Sequence, residues 1–576
     1  MGTERPIAPD RKRVLILGLD GATFDLIAPW AQQGLLPTFA RLMAEGSWGT
    51  LRSILPPYTL GAWSTMVTGK NPGKHGVLDF WKRDFHSYGF RLQNASSRVG
   101  SCIWRILGDR GRRVIVLNVP MTYPPEEVNG VMVSGMDTPG MDAPYTYPRA
   151  LKRELEERIP GYMIMPNDWR YMRRHRPDLA KAELLKEIEA RFAATKYLMR
   201  TLPWDFAMVV STATDGAAHF FWKYHDTAHP LHDADAAKEY GNTLLQVYQA
   251  LDGEIGKLLD ALPDETSVLL VSDHGNGAMG PVALHLNLWL HQEGLLAFRS
   301  GTAGGAISSL MMGAFTHTKE VLYDILPFQQ LEKLRRLFPH VLRQRTTARV
   351  FFPDMDWLRT RAYSEEFRGH VWINLRGRDP DGIVEPGAEY EAIRDRIIEG
   401  LFRLEDPRSG RRLLKRVCRR EDLYSGPFVR GFPDLLLESN TAELFRPYRR
   451  RDRSISPVRL TSTEELDEGK TSGGHLLDGI LIAWGGAIQK GRQIQGATLT
   501  DVVPTALCMM GEPIPGDIDG RVLTELLEPS FLEQNPPRWL ARVDDEGPVD
   551  EEGRGGYSDD EAKRVKERLE GLGYLG

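Results

Sequence analysis

Apolar residues come in short, nearly continuous runs along this chain, with helical patterns between them. The clearest runs cover residues 14–19, 114–118, 131–134, 206–211, 268–272 and 480–484. Runs of this length without polar alternation are typical of strands that are buried on both faces of a parallel sheet. The pattern predicts an α/β fold with a mostly parallel central sheet flanked by helices.

A helix is predicted over residues 236–262, shortly before the strand at 268–272. Its apolar positions recur at three- and four-residue spacing, as they do on one face of an amphipathic helix. They are Leu244, Val247, Leu251, Ile255, Leu258 and Leu262. A helix that leads into a buried strand fits a βαβ unit, which again favours a parallel sheet.

The alternation of strands and helices stops at about residue 297 and returns at about residue 461. The stretch between is mixed in pattern, with turns rich in Pro and Gly. We expect one α/β core that is interrupted by a large inserted cap and followed by an acidic linker and a last helix. The predicted divisions are the first part of the core at 13–296, the cap at 297–460, the last part of the core at 461–530, and the linker with its helix at 535–576.

The predicted last helix begins with a capping box. Ser558 precedes Glu561 by three residues, a spacing at which each side chain can bond to the other residue's backbone N–H.

Composition excludes several classes of protein and partner. The formal net charge of −5 gives no global electrostatic case for binding a nucleic-acid polymer or an anionic membrane. The three cysteines, Cys102, Cys418 and Cys508, are far apart and form no CxxC pair. A disulfide framework or a thiolate zinc site is therefore not expected.

The sequence also favours a cytoplasmic location. Residues 1–13 are polar and lack the apolar region of a signal peptide. No apolar run reaches the ~20 residues that a membrane-spanning helix needs. The uncharged segment 301–315 is too short to span a bilayer, but it could form a lid, a buried helix or a surface that contacts lipid peripherally.

Candidate chemistry lies where three of the apolar runs end. Each run is followed by an aspartate, and two of the aspartates have a histidine close behind. These residues are Asp20, Asp215 with His219, and Asp273 with His274, and a further histidine, His475, precedes the last apolar run. In an open α/β sheet, ligands bind beyond the carboxyl ends of the strands. Carboxylates and imidazoles gathered there predict a metal site.

A hydroxyl group is the other candidate. Thr59 follows the proline pair Pro56-Pro57 and precedes a predicted helix, so it would face the positive end of that helix. Threonine is a weak nucleophile until a base or a metal activates it. A simple N-cap role is the alternative for Thr59, as it is for Asp20.

Together these groups suffice for two metals with three protein ligands each and a nucleophile between them. Two metals about 4 Å apart suit in-line phosphoryl transfer, because they activate the attacking oxygen and hold the charge on the phosphorus oxygens. A metalloenzyme is therefore the leading hypothesis.

At this point the chain resembles the alkaline phosphatase superfamily, and within it the type I phosphodiesterase/nucleotide pyrophosphatase branch. The matching motifs occur in the family's order and roughly at its spacing, over about 13–295 and 461–527. They are the turn from Leu15 to Gly21, the stretch from Thr59 to Gly76, Asp215 to His219, Ser272 to Gly275, and His475.

The resemblance implies an alkaline-phosphatase-like core and a role for each matching residue. One metal would be held by Asp215, His219 and His475, and the other by Asp20, Asp273 and His274. Thr59 would bridge towards the second metal and attack phosphorus, which gives a phosphothreonine that water hydrolyses. Zinc is the family's usual metal, although manganese or magnesium serves some relatives.

One departure concerns substrate choice. Nucleotide pyrophosphatases place an asparagine three residues after the nucleophile to hold a phosphate oxygen, and this chain has Ala62 there. A missing oxyanion donor costs ~3 kcal/mol. The resemblance therefore implies a small phosphodiester or nucleotide-like substrate without naming it.

Three functions remain open at this stage. The first is metal-dependent hydrolysis of phosphodiester or pyrophosphate bonds. The second is transfer of the phosphoryl group from Thr59 to an alcohol such as a lipid or glycan headgroup, which the large insertion and the 301–315 segment suggest. The third is a non-catalytic binding protein on the same fold, although the ligand set is intact.

Overall fold

The structure is a computed structural model that describes residues 12–299, 352, 354–366, 368–447, 453–461, 471–541 and 556–572. The 301–315 segment and most of the predicted linker lie outside the described residues.

The described chain forms nineteen strands. Their bounds are β1 Arg13–Leu19, β2 Ser47–Arg52, β3 Trp81–Asp84, β4 Gly89–Leu92, β5 Val114–Val119, β6 Gly130–Ser134, β7 Thr146–Tyr147, β8 Phe206–Ser211, β9 Thr266–Val271, β10 Gly275–Ala278, β11 Val282–Leu284, β12 Ala362–Tyr363, β13 His370–Ile373, β14 Leu414–Arg419, β15 Leu435–Ser439, β16 Val458–Leu460, β17 Gly473–Leu476, β18 Asp478–Trp484 and β19 Arg492–Thr498.

Nine of these strands form the central sheet, in the order β19-β2-β18-β9-β1-β8-β5-β6-β7. Its middle is parallel: β1 lies between β8 and β9, and β5 continues beyond β8 to β6. The α/β fold with a mostly parallel central sheet is confirmed, and the six predicted strands all belong to this sheet.

The direction of β18 differs from the parallel expectation. This strand pairs antiparallel with both β9 and β2. It is buried along five consecutive residues, so its sequence shows the same continuous apolar run as the parallel strands. A run that is buried on both faces does not encode strand direction.

Seventeen α-helices are described. Their bounds are α1 Phe24–Gln32, α2 Pro37–Glu45, α3 Thr59–Thr68, α4 Pro72–His75, α5 Ile103–Asp109, α6 Ala150–Arg158, α7 Asp168–Arg173, α8 Pro177–Thr201, α9 Ala213–His225, α10 Ala234–Tyr240, α11 Thr243–Leu259, α12 Leu286–Gln292, α13 Ala388–Phe402, α14 Arg420–Leu423, α15 Val502–Met509, α16 Pro529–Gln534 and α17 Asp559–Gly571.

The single helix predicted over 236–262 is wrong, because the segment forms α10 and α11 with a break at Gly241 and Asn242. The start of α10 is fixed by Asp233, whose side chain accepts hydrogen bonds from two backbone N–H groups of the first turn. The apolar stripe itself lies on α11, and its residues from Leu244 to Leu258 are buried as predicted.

Alternation of side chains across the sheet divides the core in two. Leu15, Leu17 and Leu19 of β1 pack in one buried cluster, with α8, α9 and α11. Val14 and Ile16 point the other way and join a second cluster, with α3, α5 and α15. Both faces of β1 are therefore covered, which explains its unbroken apolar run.

The inserted segment has a sheet and an apolar cluster of its own. Strands β12, β13, β15 and β14 lie in that order, all antiparallel, and α13 packs beside β14. The domain boundaries placed at 297 and 460 stay predictions.

The last helix, α17, begins with the predicted capping box, in which Ser558 and Glu561 bond reciprocally. Val565 and Leu569 of this helix are buried in the first core cluster. Among the helices within the described ranges, none has the length and apolarity to cross a membrane.

A buried carboxylate organises the inserted sheet. Asp434, just before β15, is fully buried and accepts hydrogen bonds at 2.7–2.8 Å from Arg378, Arg420, Tyr390 and the backbone N–H of Ile373. Burial alone would raise the pKa of Asp434, but the two guanidinium charges outweigh it and bring the pKa below its usual range.

We expect Asp434→Ala to destabilise the protein by about 3–5 kcal/mol, because it removes the fully buried carboxylate that Arg378 and Arg420 share as a counter-ion. Urea denaturation followed by tryptophan fluorescence measures this. The folded-state pKa of Asp434 is depressed, so its contribution is present above the unfolded pKa of about 4 and is lost as the pH falls through the folded value. The gap between wild type and variant should therefore close in acid.

Asp395→Ala is the matched control, since Asp395 is a largely exposed carboxylate of the same segment that pairs with Arg419. Its loss should cost less than about 1 kcal/mol. Equal effects of the two substitutions would contradict the organising role of Asp434.

Candidate metal and phosphoryl-transfer site

Two neighbouring strands bring two carboxylates to the same edge of the central sheet. Asp20 directly follows β1, and Asp273 lies two residues after β9. Both side chains are almost completely buried. Gly21 makes the turn after β1 with φ +66°, and a Cβ there would lie 2.1 Å from Asn276 Nδ2, so the turn requires glycine.

Asp215 is brought to the same edge of the sheet by a helix. It lies in the first turn of α9 and not at a strand end, which corrects the prediction that three strand ends each supply a carboxylate. His219 follows one helical turn later, on the same face. Its Nε2 is 3.4 Å from Asp215 Oδ1.

His475 completes this first ligand set. Its Nε2 is 3.4 Å from Asp215 Oδ1 and 3.1 Å from His219 Nε2. The three candidate ligand atoms of the first set therefore lie within 3.4 Å of one another. Atoms this close could bind the same cation.

His475 lies in a strand, β17, which pairs antiparallel with β10. The preceding glycines serve close packing: a Cβ at Gly473 would lie 2.4 Å from the carbonyl oxygen of Ala218. From the sequence alone, glycines that permit close approach look the same as glycines that permit motion.

The second ligand set surrounds His274. Its Nε2 is 3.4 Å from Asp20 Oδ1 and 3.4 Å from Asp273 Oδ2. Those two carboxylate oxygens are buried and accept no hydrogen bond from the described residues. The imidazole rings of His274 and His475 stack with centroids 3.7 Å apart, so the two sets adjoin.

All three imidazoles are turned in the way that metal ligands require. Each Nδ1 faces a backbone carbonyl oxygen, which can only accept, so Nδ1 carries the proton and Nε2 keeps its lone pair. The three bonds run from His219 to Gly473 at 3.0 Å, from His274 to Gly275 at 3.0 Å and from His475 to Pro57 at 2.8 Å. Hydrogen bonds of this kind orient histidine ligands in metal sites.

The electrostatics of the two sets differ. Burial and the neighbouring carboxylates raise the pKa of Asp20 well above its usual range, and burial raises the pKa of Asp273 to about 7. Burial also acts on Asp215, but His219 and His475 outweigh it and hold the pKa of that carboxyl well below its usual range. The residues present therefore fit divalent cations, which would relieve the crowding of the carboxylates.

Thr59 lies beside the second set. It is the first residue of α3 and is fully buried, and its Oγ1 is 3.5 Å from His274 Nε2. Tyr58 occupies the N-cap position and no side chain caps the helix, so the N-cap alternative for Thr59 is wrong. The hydroxyl lies at the end of α3 where free backbone N–H groups favour anions.

Asn276, Tyr58, Arg368 and Glu443 were not singled out from the sequence. Asn276 Nδ2 donates to Asp215 Oδ1 at 3.0 Å and to the carbonyl oxygen of Gly21 at 3.0 Å, so it orients one carboxylate of the first set. Asn276 follows Asp273 by three residues, and this closeness in sequence could have identified it as a residue of the site. Tyr58 directly precedes Thr59 in the sequence, whereas Arg368 and Glu443 are brought to the site by tertiary contacts alone.

Other basic residues have structural partners of their own. Lys70 and Lys74 form ion pairs with Asp517 and Asp519. His229 is buried and its Nε2 lies 2.9 Å from the carbonyl oxygen of Ser472, a contact between segments 243 residues apart in sequence.

A cleft of about 400 Å³ opens over the first ligand set, between the central core and the inserted sheet. The core contributes Tyr58, His219 and His475 to its wall, and the inserted segment contributes Arg368, Lys415 and Glu443. A substrate that reaches the ligand sets through this cleft would contact both parts of the chain.

Solved structures provide the first comparison. A phosphonoacetate hydrolase from Sinorhizobium meliloti 1021, in complex with phosphonoformate, has a similar fold, with a TM-score of 0.51 and 14% sequence identity over 87% of this chain and 96% of that one. The human ectonucleotide pyrophosphatase/phosphodiesterase 5 gives a TM-score of 0.45 and 12% identity over 91% and 99%. No curated protein is similar enough in sequence to count as a relative.

Sequence comparison with protein families is decisive. The model of the type I phosphodiesterase/nucleotide pyrophosphatase family matches residues 14–437, about three quarters of the chain. The expected family and its alkaline-phosphatase-like fold are therefore confirmed. This chain belongs to the type I phosphodiesterase/nucleotide pyrophosphatase family and is a phosphoric ester hydrolase.

Proposed function

We propose that this protein hydrolyses phosphodiester or pyrophosphate bonds by way of a phosphothreonine at Thr59, with two divalent metal ions bound beside it. The observation that carries this proposal is that Asp20, Asp273 and His274 form one group of possible ligand atoms, and Asp215, His274 and His475 form an adjoining one, beside the buried Thr59 hydroxyl. His219 joins the second of these groups through its contacts with Asp215 and His475.

The two ligand sets divide the residues as follows. Asp215, His219 and His475 would hold one ion; Asp20, Asp273 and His274 would hold the other. Imidazole nitrogen with carboxylate oxygen suits zinc, and the oxygen-rich second set also suits manganese or magnesium. Bound metals would supply Lewis-acid stabilisation of the charge on the attacking oxygen and on the phosphorus oxygens.

The chain itself positions the nucleophile. Burial at the start of α3 holds the Thr59 hydroxyl in one place and keeps bulk water away from it. The first backbone N–H groups of α3, at Leu60 and Gly61, lie at the end of the helix where a negatively charged phosphate oxygen is stabilised. They take the place of a side-chain donor at Ala62, which is buried and apolar.

The reaction proceeds in two displacements. The Thr59 hydroxyl loses its proton and its oxygen forms a bond to phosphorus while the bond from phosphorus to the leaving oxygen breaks. The leaving oxygen takes up that proton and departs as an alcohol or a phosphate. Water then attacks the same phosphorus, the bond to Thr59 breaks, and the hydroxyl is regenerated by a proton from that water. Each step moves one phosphoryl group and no oxidant or reductant is needed.

The phosphotransferase alternative differs only in the second acceptor, an alcohol in place of water. The 301–315 segment that suggested it lies outside the described residues, and the cytoplasmic location stays a prediction. The non-catalytic alternative does not agree with membership of a hydrolase family.

We expect Thr59→Ala to reduce turnover of bis(4-nitrophenyl) phosphate by the zinc- or manganese-loaded enzyme at least about 1,000-fold, because the nucleophile is removed. The wild type should act on this diester faster than on 4-nitrophenyl phosphate. Release of 4-nitrophenol measures both rates.

Thr59→Ser is the matched control for the nucleophile, since it keeps a hydroxyl in the same position and should retain measurable turnover. A Thr59→Ala enzyme that is as active as the wild type would contradict the phosphothreonine step. Added alcohols that change the product mixture would favour transfer over hydrolysis.

Metal binding should reverse the effect of Asp273→Asn on stability. Without metal, the variant should be more stable than the wild type, because it removes one of two buried carboxylates that crowd each other. With zinc the order should reverse, because the variant loses a ligand and so gains less from binding. Thermal melting of both proteins, with chelator and with zinc, shows which is the more stable in each condition. Mass spectrometry measures their metal content.

Wild-type protein should bind two ions per chain, and Asp273→Asn fewer. Asp395→Asn is the control, because this exposed carboxylate is outside both ligand sets and should keep the wild-type metal content. A wild type whose melting temperature is unchanged by zinc would count against the two-metal site.

A further inference from the structure

Glu443 stands out in the wall of the cleft because of its backbone. It has φ +53°, in the left-handed region that few residues other than glycine adopt. Such a conformation is strained and persists only where surrounding contacts impose it. Glu443 follows β15 in the inserted segment and is half-buried.

The contacts that impose this conformation come from a neighbouring arginine. Arg446 Nε donates to the carbonyl oxygen of Glu443 at 3.1 Å. The same guanidinium donates to Thr461 Oγ1 and to the carbonyl oxygen of Gly280, both at 2.8 Å. The loop that carries Glu443 is thereby fastened to the central core.

The Glu443 carboxylate occupies the space beside Gly474 of β17. A Cβ at Gly474 would lie 2.6 Å from Glu443 Oε1, so any larger residue there would displace it. Gly474 directly precedes His475, which places the carboxylate beside the first ligand set. The negative charge of Glu443 also acts on His219 and on the Tyr58 hydroxyl.

Most other charges of the cleft wall are already neutralised within the protein. Glu438 is held by Arg52 and Arg416, and Asp478 by Arg52. Arg368 pairs with Asp79 at 2.9 Å. Glu443 takes part in none of these ion pairs, so they do not neutralise its charge.

The Glu443 carboxylate itself forms no ion pair or hydrogen bond with the part of the chain that the structure describes. Lys415 also lines the cleft, but its side chain is exposed to solvent on β14. A charged group on the substrate is therefore the partner that Glu443 lacks.

Aromatic rings share the cleft with this carboxylate. Phe24, Tyr58 and Phe445 all line it. A carboxylate among aromatic faces is an environment that favours a cation with some apolar surface, such as an alkylammonium group.

We propose that Glu443 is a specificity-determining residue that binds a protonated amine on the alcohol portion of the substrate, so that the enzyme selects aminoalkyl phosphodiesters. This inference rests on the proposed function, because the phosphate would lie at the two ligand sets while the ammonium group reaches Glu443 in the cleft.

The test uses two substrates of the same shape, 2-aminoethyl 4-nitrophenyl phosphate and propyl 4-nitrophenyl phosphate, which differ by an ammonium group in place of a methyl group. The metal-loaded wild type should prefer the aminoethyl ester about tenfold in kcat/KM, the value of one charge-assisted contact. Glu443→Gln should bring the ratio close to one, chiefly by slowing the aminoethyl ester.

Glu399→Gln is the matched control, because this carboxylate belongs to the same inserted segment and its side chain is largely exposed beside Arg403. It should keep the wild-type ratio. The inference is overturned if the wild type shows no preference, or if Glu443→Gln keeps the preference.

A binding measurement separates failure of this inference from failure of the proposed function. Calorimetry compares O-phosphoethanolamine with propyl phosphate on the metal-loaded protein and needs no turnover. About tenfold tighter binding of the amine that is lost in Glu443→Gln supports the role of Glu443 even if neither ester is hydrolysed. Equal binding of the two ligands overturns it even if both esters are hydrolysed.

Discussion

Crowding of buried carboxylates at one edge of the central sheet is the constraint on which the site depends. Asp20 and Asp273 end neighbouring strands and share a space closed to water. Burying like charges together is costly unless opposite charge is brought in. Asp215 receives it from two imidazoles. Among the described residues, His274 is the imidazole that lies 3.4 Å from both Asp20 and Asp273, and its Nδ1 is already engaged, which makes a divalent cation the natural counter-charge.

The fold separates chemistry from selection. The central sheet and the helices on its faces carry the ligands and Thr59, while the inserted sheet forms the opposite wall of the cleft. A buried ion pair between Arg83 of β3 and Asp379, at 2.6 Å, fixes the inserted segment to the core. Four aromatic rings surround the Arg83 guanidinium, which adds cation–π stabilisation to this joint.

Much of the fold could be predicted, and so could the meeting of the aspartates and histidines at one edge of the central sheet, because both follow from local patterns. Doubly buried strands leave apolar runs, and polar residues just beyond those runs are conspicuous. The errors arose where local patterns are ambiguous. The run of β18 is compatible with either strand direction, Gly473 looks like a flexible position although it serves close packing, and the helix predicted from the apolar stripe of α11 was extended too far, across the break at Gly241.

The sequence by itself determined the α/β class, six of the nine strands of the central sheet and the residue types available for metal binding, since these depend on periodicity and residue chemistry. Only the tertiary structure decided how they meet. The imidazoles of His219 and His475 are oriented by carbonyl groups of distant segments, and Glu443 reaches Gly474, next to His475, from a loop held by Arg446. Such contacts join residues up to several hundred positions apart, and no local pattern records them.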